Sequence, residues 1–249
     1  VLRELDLNQD YNNTFKFLGN IFAEYEPIEN LQLRSSLGVD FYDYTYEDYL
    51  HPEAVWGADL GGSIRRGFRR AHTTTFSNTA RYNFIYQMRH SFTVLAGFET
   101  TQYEIETFAL RGDGFANDKV RVPAAAATPQ SIGGSGSAFN VLSVLSQLNY
   151  GFDQKYFVDL SFRRDGSSRF GADNKYANFW SVGLSWNAKR EDFLANTEWL
   201  TDLRVRTSIG TTGNYSIGNY EHLGLYSVGL SYDQFPGSAP IRPANPALT

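Results

Sequence analysis

Between Phe162 and Gly171 the chain reads FRRDGSSRFG, where three arginines, an aspartate and two serines stand among aromatic residues. Guanidinium groups and hydroxyls at this density suit anion recognition. A phosphate loop, however, needs the spacing G-x-x-x-x-G-K-[ST], and no such run occurs in the chain. The Asp165-Gly166 pair is a common turn element and carries no function alone. A second chemical cluster spans Asp40 to Asp59. There Asp40, Asp43, Glu47, Asp48, Glu53 and Asp59 alternate with Tyr42, Tyr44, Tyr46, Tyr49 and Trp56. Carboxylates beside aromatic rings suit sugar binding by stacking and hydrogen bonding, or calcium coordination. The spacing of the oxygen ligands is irregular, which favours a solvated loop whose tyrosines pack on their neighbours. Tyr44, Tyr46, Asp48, Tyr49 and Trp56 are its candidates for substrate contact.

Other chemistries find no residues to carry them. The histidines His51, His72, His90 and His222 lie at unrelated spacings, and no H-E-x-x-H pair occurs. There is no G-x-S-x-G elbow and no cysteine. No catalytic residue, metal site or cofactor is therefore expected. A net charge of −5 argues against a nucleic-acid footprint, which needs a basic face.

These residues need a frame, and the frame is legible as alternation. From Tyr156 to Arg163, Tyr156, Val158, Leu160 and Phe162 share one face; Asp159, Ser161 and Arg163 share the other with Phe157. From Phe179 to Asn187, the row Trp180, Val182, Leu184 and Trp186 opposes Ser181, Gly183 and Ser185. From Leu203 to Thr211, Leu203, Val205 and Ile209 oppose Arg204, Arg206 and Ser208. Phe15, Phe17, Ile21 and Tyr25, then Leu31, Leu33, Leu37, Val39 and Phe41, then Phe76, Tyr82, Phe84 and Tyr86 form similar rows. The pattern predicts about nine strands in one all-β unit.

Connections sort by length. Residues 26–30, 88–91 and 153–155 are short, whereas Tyr44 to Arg70, Ala109 to Ser137 and Gly213 to Glu221 read as long polar excursions. The Gly133 to Ser137 run falls within one of them. The connection after Asn187 is intermediate and predicts a helical turn. Alternating short and long connections place turns at one end of the sheet and loops at the other, as in transmembrane barrels. Val1 to Leu5 is not a signal peptide, and no apolar run approaches the ~18 residues of a membrane helix.

Two architectures fit a two-faced sheet. In a soluble β-sandwich that binds or cleaves glycans, the apolar rows would pack together. In a membrane barrel they would meet lipid, and the polar rows would line a lumen. Arg34, Asp40, Arg81, Asp159, Arg163, Arg204 and Arg206 fall on polar rows, as either requires. Aromatics near predicted strand ends (Tyr25, Phe41, Tyr42, Tyr150, Phe152, Tyr156, Trp180, Trp186) favour the membrane, since such rings prefer its interfaces.

An ordered series of motifs adds a resemblance. Arg164-Asp165-Gly166-Ser167-Ser168-Arg169-Phe170, then Trp186, then Glu191 to Phe193, then Leu203 to Asn214 with Gly213-Asn214, resembles the SusC/RagA family of TonB-linked outer-membrane transporters. Arg204 departs mildly from the lysine often found there. Asn245-Pro246-Ala247-Leu248-Thr249 resembles a further family element. The strong likeness covers roughly residues 150–249; the earlier hairpins agree in style.

The resemblance implies an antiparallel transmembrane β-barrel segment, part of one barrel domain over residues 1–249, within a barrel of about 22 strands. Short turns would be periplasmic and long loops extracellular. The family's signal sequence, accessory domain, TonB-contacting segment and plug are expected to be missing here. The implied activity is import of oligosaccharides or peptides across the outer membrane of a Gram-negative cell, without covalent chemistry. Implied partners are a SusD-like surface lipoprotein, the TonB complex through the plug region, and outer-membrane lipid. A porin-like barrel without plug or energy coupling would differ only outside this chain. For such an envelope protein, the acceptor-like triplets Asn12-Asn13-Thr14 and Asn214-Tyr215-Ser216 carry no weight. FRRDGSSRFG then reads as a strand leaving the lipid belt at the extracellular rim, with Asp165 free to pair with an arginine.

Overall fold

The structure, a computed structural model, describes residues 6–214 and 217–248. Val1 to Leu5, Tyr215 and Ser216 of the acceptor-like triplet, and Thr249 of the terminal motif lie outside the described residues. The strands are β1 (Gln9–Ile28), β2 (Leu31–Leu50), β3 (Ser63–Tyr86), β4 (His90–Phe115) and β5 (Ala126–Phe152). They continue with β6 (Tyr156–Ser167), β7 (Tyr176–Asn187), β8 (Arg204–Gly210), β9 (Leu225–Tyr232) and β10 (Phe235–Arg242). Helix α1 (Val55–Ala58) precedes β3, and α2 (Asp192–Ala195) supplies the helical turn expected after Asn187. Strands β1 to β8 form one eight-stranded antiparallel sheet in chain order; β9 and β10 form a separate hairpin.

Strand pairing reproduces the two faces. In β6–β7, Tyr156 pairs with Trp186, Val158 with Leu184, Leu160 with Val182 and Phe162 with Trp180. Between these pairs lie Asp159 opposite Gly183 and Ser161 opposite Ser181, on the other face. The rows extend into β8, where Ile209 and Val205 join Val182 and Trp186, and Arg206 joins Ser185. Leu184 and Trp180 remain 50% and 44% exposed, so no second layer covers this row among the described residues. A sandwich built from these strands would bury them, so the described residues do not form one.

Turn chemistry sets the short end. Gln87 and Met88, Asp153 and Gln154, and Asp233 and Gln234 all adopt positive φ. Two consecutive positive-φ residues give the type I′ geometry, whose twist matches that of paired strands.

The long end differs from expectation. β2 continues to Leu50 and β3 begins at Ser63, so Tyr44 to Leu50 is strand rather than loop. β5 begins at Ala126 and includes the Gly133 to Ser137 run, also read as loop. Backbone pairing overrides weak local propensity there: Thr107 Oγ1 lies 2.7 Å from Ser135 Oγ.

The chain divides into two compact units. The first comprises Val1–Gly19, Gly38–Thr74 and Tyr103–Ala138; the second comprises Asn20–Leu37, Thr75–Gln102 and Phe139–Thr249. In the first, Tyr49, Ala54 and Ile64 are buried; in the second, Val141, Phe170 and Ala188.

Candidate functional site

The carboxylate–tyrosine cluster resolves by strand alternation within the first unit. Asp43 and Glu47 project to one face of β2 and pair with β3: Arg70 Nε reaches Asp43 Oδ1 at 3.2 Å, and Arg66 Nε reaches Glu47 Oε2 at 2.7 Å. No group of three or more His, Asp or Glu able to hold a metal occurs among the described residues. Tyr44, Tyr46 and Asp48 share the opposite face. The Tyr44 and Tyr46 rings stack at 5.9 Å, Tyr44 Oη donates to Asn12 Oδ1 at 2.6 Å, and the Arg65 guanidinium lies 5.2 Å from the Tyr46 ring centre. Asp48 is half-buried on the same row.

Tyr49 corrects the expectation placed on it, because it is only 1% exposed and cannot meet a ligand. Its ring is packed edge-on against Phe115 at 5.8 Å, with the Arg121 guanidinium 4.6 Å away. Trp56 stands on α1 and is 75% exposed, the one ring of the five presented freely to solvent.

The FRRDGSSRFG stretch is a clamp at the end of β6. Arg163 Nε donates to Asp165 Oδ1 at 2.7 Å, and Arg163 Nη2 donates to Ser143 Oγ at 2.8 Å. Both acceptors share its face, which confirms the pairing expected of Asp165. Arg164 faces the other way and covers the Tyr176 ring at 4.9 Å. Gly166 lets the Tyr176 ring approach: a Cβ there would fall 2.5 Å from it.

At the strand end, Ser167 is buried, and its Oγ accepts from the Arg169 amide at 3.2 Å. Ser168 exchanges two bonds with Asn140, each 2.9 Å. Arg169 lies 3.7 Å over the Phe139 ring and donates to Asn219 Oδ1 at 2.6 Å, while Phe170 is buried. The terminal motif docks on this turn: the Gly171 and Asp173 amides donate to Leu248 and Pro246 carbonyls at 2.9 and 3.1 Å. Asn174 Nδ2 donates to the Ala247 carbonyl at 2.9 Å. Gly213 packs under Phe179, where a Cβ would fall 2.3 Å from the ring; Asn214 follows it in the same connection.

The other end of β6 holds a cluster that alternation alone could not reveal. Glu191 Oε1 accepts from Tyr156 Oη at 2.6 Å and from Trp186 Nε1 at 3.0 Å; Oε2 accepts from Lys155 Nζ at 3.0 Å. These donors, led by Tyr156, lower the Glu191 carboxyl from 4.5 to about 2. Nearby, Arg89 Nε donates to Asp153 Oδ1 at 2.7 Å, tying two turns together and holding the Asp153 carboxyl below its ordinary value. The only sequence signal was a tryptophan followed five residues later by a glutamate.

Against the polar face of β6 to β8 lies a groove of about 510 Å³, lined in part by Asp159, Ser185, Arg204 and Arg206. An apolar outer row, a charged inner row and turns at one end define a β-barrel wall of the transmembrane type. No family model matches the chain. It is 31% identical to TonB-dependent receptor P26 of Formosa agariphila over 98% of its own length and 25% of that protein's. To the TonB-dependent receptor SusC of Bacteroides thetaiotaomicron it is 28% identical, over 94% of this chain and 23% of the relative. Among solved structures, the RagAB peptide transporter superposes with a TM-score of 0.90 at 31% identity, over 97% of this chain and 27% of that one. The RagAB importer in its open-open state gives 0.89. The chain belongs to the TonB-dependent receptors, as a barrel segment of the SusC/RagA type. It spans about a quarter of the length of the curated relatives it matches.

Two predictions follow from the clamps. A Cβ on Gly171 would fall 2.0 Å from the Pro246 carbonyl oxygen, a backbone atom that cannot swing aside. Gly171→Ala is therefore expected to release the terminal motif: amide exchange at residues 171 and 173 accelerates while β6–β7 amides keep their protection. Unchanged protection at both positions would remove the clamp. For Glu191, the lowered carboxyl value means its contribution is complete above 4.5 and is lost as pH falls toward about 2. Tryptophan emission and protease cleavage of the 188–203 connection should change in that window, and Glu191→Gln should flatten that dependence.

Proposed function

We propose that residues 1–249 form part of one barrel domain in a TonB-dependent importer, set in the outer membrane of a Gram-negative cell. The substrate class is oligosaccharides or peptides, a SusD-like lipoprotein covers the long-connection end, and the TonB complex engages elsewhere in the receptor. The observation that carries the reading is the register of β6 to β8, which keeps Val158, Leu160, Val182 and Leu184 on one face and Asp159, Ser185 and Arg206 on the other. Likeness to the RagAB peptide importer supports a peptide cargo, and likeness to SusC supports the receptor class. The polar face supplies lumen wall; Tyr44, Tyr46, Asp48 and the exposed Trp56 are its proposed substrate contacts.

Bilayer stability tests the membrane half. Val182 lies between the Trp180 and Trp186 rings, so Val182→Arg in the complete receptor is expected to cost about 2–4 kcal/mol. Leu184→Arg, two residues from Trp186 as Val182 is from Trp180, should cost a similar amount, and Ser185→Arg, on the polar row opposite Arg206, clearly less. Equal losses at all three positions would reject a lipid-facing row. Uptake tests the transport half: Trp56→Ala should leave thermal unfolding unchanged and reduce uptake of labelled oligosaccharide or peptide several-fold. Unaltered uptake of both cargoes would remove Trp56 from the contact set.

A further inference from the structure

One connection breaks the pattern at the short-turn end. Residues 188–203, between β7 and β8, are far longer than the turns after β1, β3 and β5. Their side of the sheet is fixed by Glu191. It accepts hydrogen bonds from Tyr156 and Trp186, which are register partners on the apolar row. The connection is therefore drawn toward the apolar face rather than the polar one.

The segment is also bonded to itself. Lys189 Nζ donates to the carbonyl oxygens of Leu194, Ala195 and Thr197 at 2.9, 3.3 and 2.8 Å. The Leu194, Thr197 and Leu200 amides close successive turns on Glu191, Leu194 and Thr197 carbonyls. Yet this ordered frame presents Phe193 and Trp199 at 71% and 83% exposure. A loop with so many internal bonds has the means to turn its rings inward, and instead holds them out. Amphipathic aromatic rings beside the rim of an apolar row match the level of lipid headgroups.

Charge narrows the lipid. Lys189 and Arg190 stand against Glu191, Asp192, Glu198 and Asp202, an acidic balance that an anionic surface would repel. Lys189 and Lys155 are already engaged by carbonyls and by Glu191.

We propose that residues 188–203 form a membrane-interface anchor, with Phe193 and Trp199 inserted at the headgroup level of a zwitterionic phospholipid leaflet continuous with the apolar row. The inference rests on the barrel reading above. In the complete receptor with other cysteines replaced, nitroxide labels are placed by Phe193→Cys, Trp199→Cys, Leu184→Cys and Asp202→Cys. Power saturation with oxygen and a nickel chelate in phosphatidylcholine nanodiscs then reads depth.

The expected order of oxygen preference is 184 above 193 and 199, and these above 202. A lipid-like 184 with water-like 193 and 199 overturns the anchor and leaves the barrel standing. A water-like 184 overturns the barrel itself. Exclusion of both reagents at 199 places protein rather than lipid over the ring and also overturns the anchor. In phosphatidylglycerol discs the preference at 199 should fall; an equal value rejects the zwitterionic choice.

Discussion

The pairing register of β5 to β8 is the constraint from which the other features follow. Side chains alternate faces with a period of two, so a slip of one residue would move every member of both rows. β5 and β6 pair without a shift from Val141↔Ser167 to Phe152↔Tyr156, and β6 and β7 from Tyr156↔Trp186 to Gly166↔Tyr176. Under a slipped register, Asp159 and Arg163 would enter the row that holds Trp180, Val182 and Leu184 of β7. Neither lipid nor a packed interior accepts those charges unpaired.

β6 is held at both ends, and the holds differ in kind. At Tyr156, the anchor is a charged acceptor with three donors, Glu191, supplied by the connection after the next strand, β7. At Ser167, it is a knot of backbone bonds to Asn140, Leu248 and Pro246, made possible by the missing Cβ of Gly171. The motifs that resemble the SusC/RagA family are therefore mostly spatial partners. The R-D-G-S-S-R-F turn meets the N-P-A-L segment, and the strand-closing tryptophan meets the glutamate of the following element. Arg163, Asp165 and Ser143 form an ion-paired patch on the polar row; no ligand is needed to explain them.

Much of the second unit was legible because its strands obey one strict rule. β6, β7 and β8 lie within a few residues of their predicted bounds, and the rows match face for face. The pairing of Asp165 with an arginine was also legible, since Arg163 stands two residues away on the same face. Three things were not. The strand character of Tyr44 to Leu50 and of Gly133 to Ser137 depends on neighbours supplied by β3 and β4, and local composition argues for loop. The burial of Tyr49 depends on Arg121 and Phe115, far along the chain. The β9–β10 hairpin alternates Tyr226, Val228, Leu230 and Tyr232 with serine and glycine between them, beyond the Gly213 to Glu221 excursion, and this row is not among those named from the sequence.

A single-layer sheet shifts the source of stability. The buried apolar side chains named above are few, and the largest rings of the outer row are exposed. Hydrophobic burial within the chain thus cannot offset the entropy of ordering these strands. In a bilayer, the apolar row would be removed from water by lipid, and the backbone bonds of the ladder would have no competing solvent. At the strand ends that protection would stop, and water would compete for every donor. That is where the charge-assisted bonds concentrate: Arg89 with Asp153, Lys155 and Tyr156 with Glu191, Arg163 with Asp165. Such bonds are about twice as strong as neutral ones and keep their geometry in a wet rim. A boundary between two solvents would call for that distribution, in which the most chemically suggestive residues in the sequence serve as fasteners of the wall.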